Sequence, residues 1–269
     1  MANRQDTERM KWRDLQPDDG MLTALAKAGP RPSDDDTQTL KKNWSKSFAD
    51  ACAVMLANAL RERRAFKKFH VFPTPSGERA EFVTAAGTRG KGKRVDVAVS
   101  SLVAGLQVAL TLKGGNFLDA TGSGFGKNIT GRLYELLDET KAVHEYHPHS
   151  LVICVYFFPL AATEDMATKS TFAKAVAYLR GHTGRDDVLQ VTQFGRFDES
   201  YIGLYVADDS DPRFAPGLCR FFDVTTSPPM LGRPRVDTTL SLEQLAQRIA
   251  KLFKGGRAQQ IAYAPPEDD

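Results

Sequence analysis

The chain has 269 residues, with 42% apolar and 26% charged side chains and a formal net charge of only +3. That is enough chain to bury a substantial core, and the composition is that of a globular domain rather than a disordered or fibrous protein. It excludes nucleic-acid binding by bulk charge, and no run of about 18 apolar residues offers a membrane span. Cys52, Cys154 and Cys219 are widely spaced and form no Cys-x-x-Cys pair, which argues against a zinc site or disulfide framework and suits a reducing, cytoplasmic setting. The polar, mixed-charge N-terminus shows no apolar signal-peptide core, in line with the same expectation.

Residues 1–36 are rich in Asp, Pro, Arg and Gly and read as a polar arm, with a short helix at Met21–Ala28. A main domain is expected over 37–254, as a core at 38–158 and an α/β extension at 159–254, followed by a flexible tail at 255–269. Thr37 to Phe66 reads as a helix, because Phe48, Cys52, Met55 and Ala59 recur on one helical face. Glu62 continues that spacing, so it is expected to end the buried stripe. Arg61, Arg63, Arg64, Lys67 and Lys68 make this end basic. Pro73–Gly77 is a turn, and Glu81-Phe82-Val83 reads as the start of a short strand. Thr88–Lys93 is glycine-containing and basic.

The most informative stretch follows. Val95, Val97 and Val99 alternate with Asp96, Ala98 and Ser100; Leu106, Val108, Leu110 and Leu112 alternate with Gln107, Ala109, Thr111 and Lys113. Period two on both sides of a turn predicts a β-hairpin. Folding it about Val103 sets Asp96 opposite Thr111, with Lys113 one step further on the same face. A carboxylate suited to a divalent cation thereby meets a lysine suited to a phosphate or a water, the arrangement of a metal-dependent phosphodiesterase site. Asp is disfavoured in strands, so its presence here asks for a reason.

Gly114–Gly126 is a glycine-rich loop. Its Gly122–Lys127 segment falls short of a phosphate-loop pattern, with one residue too few before Gly126-Lys127 and Asn128 where a hydroxyl is needed. Lys127 to His147 reads as a helix with Ile129, Leu133, Leu136 or Leu137, Thr140 and Val143 on one face, stopped by Pro148. His144, His147 and His149 at its end are expected to complement the helix dipole rather than bind a metal. Leu151–Phe158 is a continuous apolar run, as for a strand buried on both faces. Lys169–Leu179 reads as a helix, Tyr201–Val206 and Arg220–Thr226 as strands, and Leu242–Phe253 as a closing amphipathic helix. The expected class is α/β, a central mixed sheet flanked by helices.

A helix with an inward Glu, a hairpin carrying Asp and then Lys, and a helix packed across the sheet resembles the PD-(D/E)XK restriction-endonuclease-like nucleases over residues 38–158. The resemblance implies that Glu62, Asp96 and Lys113 are the helix acid, hairpin acid and motif lysine. The strand reads Thr111-Leu112-Lys113 where that family has Asp/Glu-x-Lys, and threonine cannot supply the missing charge to a hard cation. Some members move this acid onto the following helix, where Glu135 and Glu139 stand at i and i+4; Glu139 is the preferred replacement. The implied activity is magnesium-dependent hydrolysis of DNA, with manganese as a substitute metal. Asp96, Glu139 and Glu62 are the implied metal ligands, and Lys113 stabilises the phosphorus centre. Restriction or defence against foreign DNA is the implied setting, with a homodimer or a partner subunit. Arg63, Arg64, Lys67, Lys91, Lys93, Arg94 and Lys127 are the expected contacts to the phosphate backbone. Two alternatives stand beside this: a nuclease-like DNA-binding or assembly subunit without activity, and a nucleotide-binding protein using Lys127.

Overall fold

In the computed structural model the residues described are 10–79, 95–119, 122, 124–126, 128–186 and 190–255. The expected hairpin forms as β2 (Val97–Ser101) and β3 (Gly105–Gly114). Its register is the one alternation demands: Val97 pairs with Leu110, Ala98 with Ala109 and Val99 with Val108. Beyond Val99 the pairing slips, so that Ser100 faces Leu106 and Gln107 is left as the extra residue of a bulge. The bulge turns Leu106 onto the opposite face from Val108, a correction to the simple alternation. Gln107 closes the turn by donating from Nε2 to the Ala104 carbonyl at 2.6 Å. Gly105, at φ +66°, supplies the left-handed residue that this turn requires.

The sheet has seven strands in the order β1 to β7. β1 (His70–Phe72) pairs antiparallel with β2 and was not expected: three residues are too few to show a period. β4 (Leu151–Pro159) runs parallel to β3, and β5 (Glu199–Tyr205) runs parallel to β4. β6 (Cys219–Asp223) and the two-residue β7 (Thr239–Leu240) complete the sheet antiparallel. Every residue of β4 is buried, as its uninterrupted apolar run implies. The strand expected at Glu81–Val83 lies outside the described residues.

Helices cover both faces. α1 (Asp19–Ala28), α2 (Gln38–Arg61) and α5 (Leu242–Lys254) pack with Val97, Val108, Leu110, Val155 and Phe157 in one core. α3 (Ile129–Tyr146) and α4 (Thr171–Gly181) pack with Ala109, Val152, Tyr156 and Phe158 in the other. Each fully buried Leu, Val or Phe contributes roughly 1.5–3 kcal/mol, so the two cores dominate the favourable side of folding. Asp18, Thr37, Ser170 and Ser241 cap α1, α2, α4 and α5 by accepting from backbone N–H groups of the first turn. Gly115 allows the chain leaving β3 to press on its neighbours, since a Cβ there would lie 2.5 Å from Phe158 Cε1.

A buried ionic knot joins the start of β4 to the segment before β5. Arg185 and Asp198 pair at 3.2 Å with side chains 0% and 4% exposed. His144 belongs to this knot: its Nδ1 is 2.7 Å from the Phe194 carbonyl and its Nε2 is 3.6 Å from Asp198. It is therefore a core partner rather than the helix-end cap its position implied. Among the described residues no helix is long and apolar enough to cross a membrane.

Candidate functional site

The slanted pairing of β3 with β4 and the crossing of α3 over the same face build the site. Ala109, Thr111 and Lys113 face α3, because Leu110 and Leu112 are committed to the other core. α3 presents Arg132, Glu135 and Glu139 to the end of β3, at helical spacings that share a face. Lys113 Nζ lies 3.3 Å from Glu139 Oε1 and 3.9 Å from Glu135 Oε2. Arg132 donates to the carbonyl of Gly114, which anchors α3 over the strand end.

Asp96 stands immediately before β2, at the position that continues the register opposite Thr111. Its Oδ2 accepts from the Leu112 backbone N–H at 2.7 Å, so this carboxylate also stitches β3 in place. Burial pushes its carboxyl above the ordinary aspartate value; the Leu112 hydrogen bond pulls it back, Glu139 repels it upward, and Arg79 and Lys113 oppose that. Asp96, Lys113 and Glu139 thus share one electrostatic neighbourhood. Thr111, 2% exposed, occupies the strand position between them and brings no charge. Beside Lys113, Tyr156 is pushed up to about 12 by burial, with the Arg132 guanidinium acting against the shift.

Two groups of this site gave no sequence signal. Arg79 reaches Asp96 Oδ1 at 3.8 Å and Asp50 at 2.5 Å, so a guanidinium bridges the Asp96 carboxylate to α2. Asp50 is off the apolar stripe of α2, and only the tertiary fold brings it here. Glu62, by contrast, is not inward. α2 ends at Arg61, Glu62 is its C-cap, and its side chain is 70% exposed and 3.8 Å from Lys67. Twelve residues separate Asp50 from Glu62, about 18 Å along a helix. Glu62 lines a different hollow, with Asp19, Thr23 and Asn58.

Of the expected backbone contacts, Arg63 pairs with Glu243 of α5 at 3.3 Å, Lys67 with Glu62, and Arg64 is exposed. Lys91, Lys93, Arg94 and Lys127 lie outside the described residues.

Among the described residues no group of three or more His, Cys, Asp or Glu side chains is gathered closely enough to hold a metal ion. A magnesium ion does not need one: it keeps several waters and binds through one or two carboxylates. Asp96 and Glu139 supply two hard oxygen donors that repel each other, and a shared cation relieves that repulsion. In their chemistry these two oxygen donors suit such an ion.

No family model matches this sequence, and no curated protein or solved structure matches it significantly.

Proposed function

We propose that the protein hydrolyses phosphodiester bonds in DNA with a divalent metal ion, as a PD-(D/E)XK-like nuclease. The observation that carries this reading is the meeting of Lys113 with Glu139 at 3.3 Å beside an Asp96 carboxyl that the same glutamate destabilises. The order of elements supports it as well: a helix, antiparallel strands carrying Asp and Lys, a helix across the sheet, then a parallel strand.

Asp96 and Glu139 hold the magnesium or manganese ion in this reading. When bound, the ion lowers the pKa of its water and neutralises charge developing on the phosphate. Lys113 offers its ammonium to the phosphate oxygens and orients the attacking water. Glu135, at 3.9 Å, would keep that ammonium in place with Glu139 holding the ion. Arg79 and Asp50 steady Asp96 from the far side. Restriction or defence, and a second copy or partner subunit, remain attached to the resemblance alone.

Supercoiled plasmid incubated with magnesium or manganese tests the reading. The wild type is expected to nick it, Asp96→Ala and Lys113→Ala are expected to lose at least a hundredfold in rate, and Glu139→Gln is expected to lose far more than Glu135→Gln. DNA binding without cleavage in any metal would instead support the inactive binding subunit, which the neutral Thr111 favours.

A further inference from the structure

A second cavity lies away from this site, over β6 and β7, on the face that α3 and α4 leave open. It measures about 1010 Å³ and is bounded by the segment 10–13, the β5–β6 loop and residues 232–239. β6 is three strands from β3, about 14 Å across the sheet.

Its lining is strongly asymmetric in charge. Lys11, Arg13, Arg213, Arg220, Arg233 and Arg235 line it with Glu164 and Asp237, and Asp14 and Asp211 pair with two of these cations from beside it. The whole chain carries 36 basic and 33 acidic residues, so this imbalance is concentrated here rather than inherited from the composition.

The floor is apolar and packed into the core. Trp12, Phe214 and Val236 are 6%, 8% and 5% exposed. Trp12 is pinned by donating from Nε1 to the Pro234 carbonyl at 2.7 Å. Arg233 and Arg213 lie over the Phe214 ring at 4.8 and 5.3 Å, so the ring gathers two guanidinium charges on the wall. Arg220 is held by donating to Thr239 Oγ1 at 3.0 Å and to its carbonyl at 2.8 Å.

The present partners of these cations are replaceable. Glu164 takes Arg233 at 2.9 Å and Arg213 at 3.6 Å; Asp211 also takes Arg213, Asp14 takes Arg13, and Asp237 takes Arg235. Exposed pairs of this kind contribute little to stability. A phosphate group accepts two parallel guanidinium N–H bonds and carries more charge than one carboxylate.

We propose that this cavity binds a nucleotide, its phosphates on the arginines of the wall and its flat ring against the apolar floor. The volume lies at the top of the usual range for such sites, about 300–1,000 Å³. The shared chemistry admits two sources, a free nucleotide or one nucleotide of a DNA strand.

Calorimetric titration of the full chain in EDTA with AMP, ATP, inorganic pyrophosphate and a single-stranded dodecanucleotide tests this. Wild type is expected to bind ATP or the dodecanucleotide, and pyrophosphate about tenfold more weakly, because it leaves the floor unused. Arg13→Ala with Arg235→Ala, both at exposed side chains, is expected to weaken binding about tenfold, and Arg233→Ala at least as much. Asp96→Ala is expected to leave AMP, ATP and pyrophosphate binding unchanged, which separates this cavity from the proposed nuclease site. ATP binding identifies a free nucleotide as the source; dodecanucleotide binding without AMP or ATP binding, and lost in the arginine variants, identifies the strand. Failure of all four probes, or binding unaltered in the arginine variants, overturns the proposal.

Discussion

Replacing Asp198 with Ala tests the knot that holds the base of β4, and with it the strand beside Lys113. Asp198 accepts from Arg185 Nε at 3.2 Å and from the Val152 backbone N–H at 2.7 Å. Without it, Arg185 keeps, among the described residues, the carbonyls of Pro148 and Ser150, at 2.7 and 2.9 Å, while its side chain remains fully buried. Removing one partner of a buried pair costs about 3–5 kcal/mol, because the other charge is left uncompensated. At about 2–4 °C per kcal/mol for a protein of this size, the midpoint should fall by roughly 6–20 °C in calorimetry, and urea unfolding should give the same free energy. The double variant Asp198→Leu, Arg185→Met should lose much less, since no buried charge remains. Burial alone would raise the Asp198 carboxyl, but its contacts with His144 and Arg185 outweigh that and hold it below the ordinary value. Its contribution is thus present above the unfolded pKa, about 3.9, and lost as pH falls through the folded value. The gap between wild type and Asp198→Ala should therefore narrow below about pH 4. A loss under about 1 kcal/mol at neutral pH, or a gap that persists in acid, refutes the reasoning.

Three further predictions follow from the site and the core. Because the folded Asp96 pKa is raised, its favourable contribution lies below the unfolded pKa and is lost as pH rises through the folded one; Asp96→Asn, which keeps an acceptor for the Leu112 N–H, should leave urea stability at pH 7 unchanged or raise it by up to about 1 kcal/mol. A clear loss of stability would contradict that assignment of charge. Thr111→Asp places a carboxylate at a 2% exposed position near Asp96 and Glu139; it should lower the melting midpoint in EDTA and regain it in millimolar magnesium, and a midpoint indifferent to magnesium would speak against a cation seat. Cys52, Cys154 and Cys219 are buried, and burial raises each thiol pKa; none should react with a thiol reagent until the protein unfolds, so rapid labelling under native conditions would show the cores to be open.

Much of the fold was legible along the chain. Alternation located β2 and β3 and gave their register, because a one-residue slip would exchange the residues committed to the two cores. The apolar run of β4 and the 3.6-residue stripes of α2, α3 and α5 were equally plain. The bulge at Gln107 was not, since nothing in a period-two pattern announces an extra residue. Glu62 misled because its spacing continues the stripe of α2 past the point where the helix stops. His144 has the sequence position of a helix-end cation, yet Phe194 and Asp198, some fifty residues away, claim its ring.

By itself the sequence determined where the longer strands and helices lie, and that Asp96 and Lys113 belong to one hairpin face, because periodicity and pairing act between near neighbours. Only the tertiary structure decided which acids meet that lysine. Glu139 and Glu135 arrive through the crossing of α3 over β3, and Asp50 is tied to Asp96, not to the lysine, through the reach of Arg79. Those encounters depend on how whole elements stack, which chain-local spacing does not encode.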